Sequence, residues 1–292
     1  MIKKVKGILQ SFILSLLIFI VMPSALLGFL ASGSTNILFL IEAIIVISLL
    51  DIGANVLNNY ADWNIDILNN KRDTLHNAVS KEDLLYVYII LLVLVWIMLL
   101  LLQRSIYLEL SVLSFIILGI IYSEILKLKD ISPFNYVAIG LAYGAIPFSI
   151  GFFLGTSSLE SYLIYVPLVI FLSLATFAHT ITKDYGDVEG DSKNNKKTLP
   201  VIFGKSKALL IQSMLIVTSY LTLILFYLLR DVNIYYLVSV VSMVFGLLIL
   251  NMIKLAKDSK AVKKAALYNK FNHFILRLIL IFVTIFITYK VI

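Results

Sequence analysis

Two stretches of this chain carry residue types at a spacing that could do chemistry: Asn58-x3-Asp62-x3-Asp66 and Asp184-x2-Asp187-x3-Asp191. Each sits at the end of a long apolar run, where a carboxylate is costly unless a cation neutralises it. On a helix at 100° per residue, Asp51, Asn55, Asn58, Asp62 and Asp66 fall at about 0°, 40°, −20°, 20° and 60°. They form one narrow polar stripe, and a stripe at membrane depth faces a bundle interior or a water-filled cavity. Asp62 and Asp66 are one turn apart, and their mutual repulsion disfavours the helix unless something offsets it. A divalent cation would do so. Carboxylates plus the amide carbonyl of Asn58 suit Mg2+, which keeps several waters and shares its remaining positions with substrate phosphates. Taken alone, the pair is equally well explained as solvated loop residues beyond a helix end.

The second stretch runs Lys183-Asp-Tyr-Gly-Asp-Val-Glu-Gly-Asp191 and continues to Lys196-Lys-Thr-Leu-Pro200. Asp184, Asp187 and Asp191 would lie within about 60° of one another on a helix, but Gly186 and Gly190 weaken helix there and predict an irregular end. Lys183, Lys193, Lys196 and Lys197 surround the acids, and lysine ammonium groups suit phosphate as well as carboxylate. By itself this too is a solvated charged loop. Two such clusters on one membrane face can instead supply oxygen ligands for a metal pair that grips a diphosphate.

The elements that must position these residues are membrane helices. The 292 residues are 61% hydrophobic and 14% charged, with mean hydropathy +1.00. Soluble domains average about 45–50% apolar and about 25% charged, so the chain is expected to be an all-α, polytopic membrane bundle. Nine apolar runs are read at 8–30, 36–60, 84–103, 106–126, 134–155, 161–183, 207–229, 234–254 and 271–291. The first has a Lys-rich lead but is longer than a signal-peptide core, so an uncleaved span is expected. A single membrane domain, 1–292, then carries cap loops at about 61–83, 124–133, 184–206 and 255–270. With no cysteine and three histidines, thiolate and His-rich metal sites are excluded or disfavoured, and any metal is held by oxygen.

Of the 24 Lys and Arg residues, 20 fall at the N-terminus or after even-numbered runs, and only Arg104, Arg230 and Lys290 fall on the other side. Arg277 remains inside the ninth run. The positive-inside rule therefore places the N-terminus and both acid motifs in the cytoplasm of a cell-membrane protein. The net charge of +7 reads as loop topology and not as nucleic-acid binding. Acid clusters end the second and sixth runs, a recurrence consistent with two related four-helix units plus a ninth helix.

The two acid motifs, the nine runs and Tyr122-Ser-Glu-Ile-Leu-Lys127 after the fourth run together resemble the UbiA-type intramembrane prenyltransferases over essentially the whole chain. The resemblance implies a helical bundle around a central cavity that opens sideways to lipid. It implies transfer of a polyprenyl group from its diphosphate to a lipophilic or aromatic acceptor, with Mg2+ between the acid motifs and the diphosphate. By position it carries metal-site roles to Asn58, Asp62, Asp66, Asp187 and Asp191, with Asp184 matching a frequent extra acid. The run Lys-Asp-x-x-Asp-Val-Glu-Gly-Asp with Lys-Thr-Leu-Pro is similar to the branch that makes digeranylgeranylglyceryl phosphate, which implies geranylgeranylglyceryl phosphate as acceptor. Asn58-Asn59 and Leu75-His-Asn-Ala-Val-Ser80 depart from the family pattern.

In the mechanism expected from these residues, Asp62, Asp66, Asp187 and Asp191 form the catalytic centre. Arg72, Lys183, Lys197 and other lysines neutralise charge on the leaving diphosphate. Tyr122 and Lys127 are candidates for diphosphate contact, against the plainer reading of an interfacial aromatic and a positive-inside lysine. Asn55, with Asp51, is expected to contact the acceptor or to support the site from behind, against the plainer reading of a buried interhelical hydrogen bond. A prenyltransferase for an aromatic acceptor and a cation-coupled transporter are the rival functions; a transporter would place its key acids near the midplane.

Overall fold

The computed structural model describes residues 17–68, 73–102, 105–231 and 235–289, and these are almost entirely helical. Among them nine long helices follow in order: α1 (Leu17–Ala31), α2 (Ile37–Ala61), α3 (Lys81–Leu102), α4 (Ile106–Ile125), α5 (Phe134–Gly155), α6 (Val166–Asp184), α7 (Leu199–Leu229), α8 (Tyr235–Leu255) and α9 (Ser259–Tyr289). Eight of these, α2 to α9, are long and apolar enough to cross a membrane, and α1 is a shorter apolar helix whose expected start lies outside the described residues. Large apolar side chains such as Leu100, Leu101 and Leu237 are more than two-thirds exposed (72%, 79% and 71%). Water would penalise that surface, whereas lipid tails do not. The chain is an integral membrane protein built as an all-α bundle.

Local chemistry sets the helix starts. Asn36 Oδ1 accepts from the Leu38 amide at 3.0 Å to cap α2. Before α3, Ser80 and Asp83 exchange reciprocal bonds: the Ser80 amide to Asp83 Oδ2 at 2.9 Å, and the Asp83 amide to Ser80 Oγ at 3.2 Å. Two helices begin earlier than hydropathy indicates. α7 starts at Leu199 rather than 207 because Pro200 suits a first turn, and Gly204, at φ 76° and ψ 162°, kinks it. α9 starts at Ser259, so most of 255–270, expected as a cap loop, is helix. Asp258 Oδ1 caps it by accepting from the Ala261 amide at 2.7 Å, and its lysines and alanines favour helix while lowering hydropathy.

Close packing holds α1 against α5. A Cβ on Gly151 would lie 1.9 Å from the Ala25 carbonyl oxygen, and one on Gly28 would lie 2.0 Å from that of Phe148. Only glycine permits this backbone approach, the usual device where helices associate without a hydrophobic driving force. Polar bonds fix the end of α6. Gln212 Nε2 on α7 donates to the Ala178 carbonyl at 2.6 Å and to Thr182 Oγ1 at 2.7 Å. Asn269 Nδ2 on α9 donates to the same Thr182 hydroxyl at 2.9 Å. The turn preceding Lys183 and Asp184 is thus tied to two neighbouring helices.

Candidate active site

α2 delivers the first motif. The helix ends at Ala61, Asp62 is its C-terminal cap, and the chain re-enters helix over Trp63–Leu68. The Asp66 amide donates to the Asp62 carbonyl at 2.8 Å, so the two acids stay about one turn apart despite the break. Both line a cavity of about 970 Å³. Asn55 and Asn58 instead line a smaller pocket of about 170 Å³, with Phe115, Ala138 and Tyr143 among its walls. Tyr122 and Lys183 line both spaces, which are therefore adjacent. Asn55 Nδ2 donates to the Asp51 carbonyl at 2.8 Å and to Asp51 Oδ2 at 3.3 Å, so the buried bond at the deepest part of the stripe lies within α2 and is not the interhelical one that sequence suggested.

α6 delivers the second motif. Asp184 is its last residue and is 4% exposed; its Oδ2 accepts from the Tyr136 hydroxyl at 2.5 Å. That hydroxyl accepts in turn from the Leu199 amide at 3.0 Å, so one tyrosine oxygen links α5, α6 and α7. Beyond Asp184 the helix breaks, as Gly186 leads one to expect, and Asp187 immediately precedes a short helix, Val188–Lys193, without a side-chain capping bond. The Asp191 amide donates to the Asp187 carbonyl at 2.8 Å. Asp184, Asp187 and Asp191 all line the cavity that Asp62 and Asp66 line. Carboxylates from helix ends far apart in sequence therefore meet at one space.

The basic residues sort less simply. Lys183 lines the cavity as expected. Lys127 and Lys197 are exposed and stand outside its lining, where Lys129 and Lys196 take the places. The reason is backbone direction. Lys127 has a left-handed φ of 48° and ends the helix, and Lys129 Nζ then reaches Asp62 Oδ1 at 2.7 Å. Lys197 is pinned through its main chain: its amide donates to the Asp130 carbonyl and its carbonyl accepts from the Ser132 amide, both at 3.0 Å. In extended backbone adjacent side chains face opposite ways, so Lys196 turns to the cavity. Arg72 lies outside the described residues. Sequence reading missed Lys129, Tyr136 and Lys205; charge runs contain the two lysines, but nothing local selects them. It also missed that Tyr122 and Tyr143 sit in wide, π-type turns, a device frequent at functional sites.

Seven carboxylates face five lysines in the lining, so the cavity attracts a divalent cation while retaining donors for an anion. Among the described residues no three acidic or histidine side chains are close enough to hold a metal by themselves. Mg2+ fits such a site, because it takes one or two carboxylates and completes its shell with water and phosphate oxygens. The donor set is oxygen only, with lysines beside it suited to the same phosphates.

Comparison with known proteins agrees with this architecture. The model of the UbiA prenyltransferase family matches residues 17–276. A digeranylgeranylglyceryl phosphate synthase from Methanobrevibacter smithii is 29% identical over 229 residues, 74% of this chain and 76% of that protein. Of other synthases with the same name the chain spans a smaller share, 58% and 59% of the length of two of them. A solved structure concerning digeranylgeranylglyceryl phosphate synthase in membranes superposes with a TM-score of 0.74 at 23% identity, over 97% of this chain and 99% of that one. A UbiA homologue from Archaeoglobus fulgidus bound to DMAPP and Mg2+ superposes with a TM-score of 0.66 at 15% identity, over 89% and 98% of the two chains. With the family model covering most of its length, the chain belongs to the UbiA prenyltransferase family.

Proposed function

We propose that this protein is a Mg2+-dependent membrane prenyltransferase that moves a polyprenyl group from its diphosphate to a lipophilic acceptor, geranylgeranylglyceryl phosphate. One observation carries the proposal: acids from the ends of α2 and α6 line a single lysine-containing cavity that adjoins a more apolar pocket between helices. The relatives' name supports the acceptor, and the ligands of the A. fulgidus homologue support the donor class and the cation.

Asp62, Asp66, Asp187 and Asp191, with Asp184, line the cavity and would hold Mg2+, whereas Asn58, expected as a ligand, lines the neighbouring pocket instead. When bound, the cation neutralises charge that accumulates on the departing diphosphate. Lys183, Lys196 and Lys205 add fixed positive charge around the same oxygens. Lys129 rests on Asp62, and can turn to phosphate when that carboxylate is engaged elsewhere. The prenyl carbon–oxygen bond weakens towards an allylic cation, and the pair of bonding electrons leaves with diphosphate. Phe115, Tyr122 and Tyr143 line the pocket below, where aromatic faces stabilise a cation and limited water keeps it from being quenched. The acceptor hydroxyl oxygen then bonds to that carbon, and its proton passes to the released diphosphate. Both motifs face the cytoplasm in this reading, supported by the lysines gathered at that end of the helices. Placement of the acids at helix ends favours phosphate chemistry over transport, for which midplane acids are expected.

The test is purified protein with Mg2+, a panel of prenyl diphosphates, and phosphoglyceryl-ether and aromatic acceptors, scored for released diphosphate and lipid product. Diphosphate release coupled to an ether product is the expected result. Transfer to the aromatic acceptors alone would replace the acceptor, and no transfer to any acceptor would sink the enzymatic reading.

A further inference from the structure

A third space, of about 340 Å³, lies between α1, α5, α6 and α9. Its polar walls are Lys183, Lys263, Lys270, Thr176, Thr180 and His179, and no carboxylate lines it. This is the reverse of the acid cavity. A space with carboxylates needs a metal before it can hold an anion, whereas lysines lining a space without carboxylates can offer it donors directly. Among the described residues, neither Lys183 nor Lys263 has a carboxylate within ion-pairing distance. His179 Nδ1 is buried without a hydrogen-bond partner.

The floor strengthens the positive field. Arg277 is 1% exposed and donates to Thr176 Oγ1 at 2.8 Å, to Ser24 Oγ at 3.0 Å and to the His273 carbonyl at 3.4 Å. Hydroxyls and a carbonyl satisfy its hydrogen bonds without cancelling its charge. The flank is apolar: Leu267 is 63% exposed and Phe271 56% exposed. Lys183 also lines the acid cavity, so this space adjoins the one assigned to the diphosphate without sharing its metal ligands.

Resting on the function proposed above, we infer that this space is the acceptor's phosphate site: Lys183, Lys263 and Lys270 hold the phosphomonoester of the acceptor lipid while its alkyl chain leaves towards the bilayer beside α9. A monoester carries about −1.5 to −2 at neutral pH, more than the single charge of a diester headgroup, and three lysines select for it. The lysines of α9, which topology alone would explain as positive-inside charges, thereby become specificity determinants.

Detergent-solubilised full-length protein is titrated calorimetrically with a phosphorylated glycerol ether, the same ether without phosphate, inorganic phosphate and an anionic diacyl phosphodiester. The wild type should bind the phosphorylated ether at least about tenfold tighter than its alcohol, the size of one charge-assisted hydrogen bond. The double variant Lys263→Gln/Lys270→Gln should lose that preference while its alcohol affinity stays within about twofold, which also reports an intact fold. A variant that keeps the full preference overturns the site. Diester binding as tight as the monoester would make the space a general anionic-lipid groove, and tight binding of inorganic phosphate would make it a free-phosphate site; both overturn the acceptor assignment. Failure of the function itself would show separately, as no prenyl transfer by the wild type to any acceptor.

Discussion

Replacing Tyr136 by Phe removes one oxygen and leaves the ring, so it isolates the bond network at the end of α6 with little change in packing. Tyr136 is fully buried and stacks on Phe177 with ring centroids 5.5 Å apart, an arrangement that Phe preserves. Its hydroxyl donates to Asp184 Oδ2 at 2.5 Å and accepts from the Leu199 amide at 3.0 Å. Interhelical hydrogen bonds in membrane proteins average only about 0.6 kcal/mol in double-mutant cycles. Here the acceptor is a 4% exposed carboxylate, which belongs at the charged end of the range, roughly 1.5–3 kcal/mol, and the Leu199 amide also loses its partner. The expected loss is about 2 kcal/mol, or roughly 30-fold in the folding equilibrium. Reversible unfolding in mixed micelles measures it, and a cycle with Asp184→Asn should show coupling of at least about 1 kcal/mol. Because Asp184 lines the acid cavity, the variant should also need more Mg2+ for half-maximal turnover. A loss below about 0.5 kcal/mol together with an unchanged Mg2+ requirement would refute the claim that this hydroxyl sets the second motif.

Four further outcomes follow from the geometry. Asp62→Ala and Asp187→Ala should each lower turnover by at least about a thousandfold while circular dichroism keeps the helical signal; near-normal turnover in both would remove the two motifs from the chemistry. Chelation of divalent ions should abolish product formation and added Mg2+ restore it, read as diphosphate release. Lys129→Ala should raise the KM for the prenyl diphosphate about tenfold and Lys127→Ala less than about twofold, and the opposite ranking would contradict the cavity lining described for them. Gly151→Leu should sharply reduce the yield of folded protein in detergent, since even its Cβ would lie 1.9 Å from the Ala25 carbonyl oxygen; a normally folded variant would disprove the close α1–α5 contact.

Much of this protein is legible in its sequence because the bilayer leaves few alternatives. Apolar runs long enough to span must be helices, since no other open segment satisfies its backbone bonds in hydrocarbon, and acids at the ends of two such runs stand out against 61% apolar composition. The all-helical class and five of the seven lining acids, Asp62, Asp66, Asp184, Asp187 and Asp191, follow from that. Helix starts at Leu199 and Ser259 were missed because hydropathy marks what lies in lipid and is blind to polar turns that continue the helix beyond it.

Tertiary structure alone decided which cations line the cavity. Lys127 and Lys129 look alike in sequence, and a single left-handed residue chooses between them. Tyr136, Gln212 and Asn269 are ordinary members of apolar helices until neighbouring helices bring them onto the end of α6. A lysine-lined space free of carboxylates between α1, α5, α6 and α9 exists in no one segment. The one-dimensional pattern records what each stretch must avoid in lipid, while polar partners are chosen by distances between helices far apart in the chain.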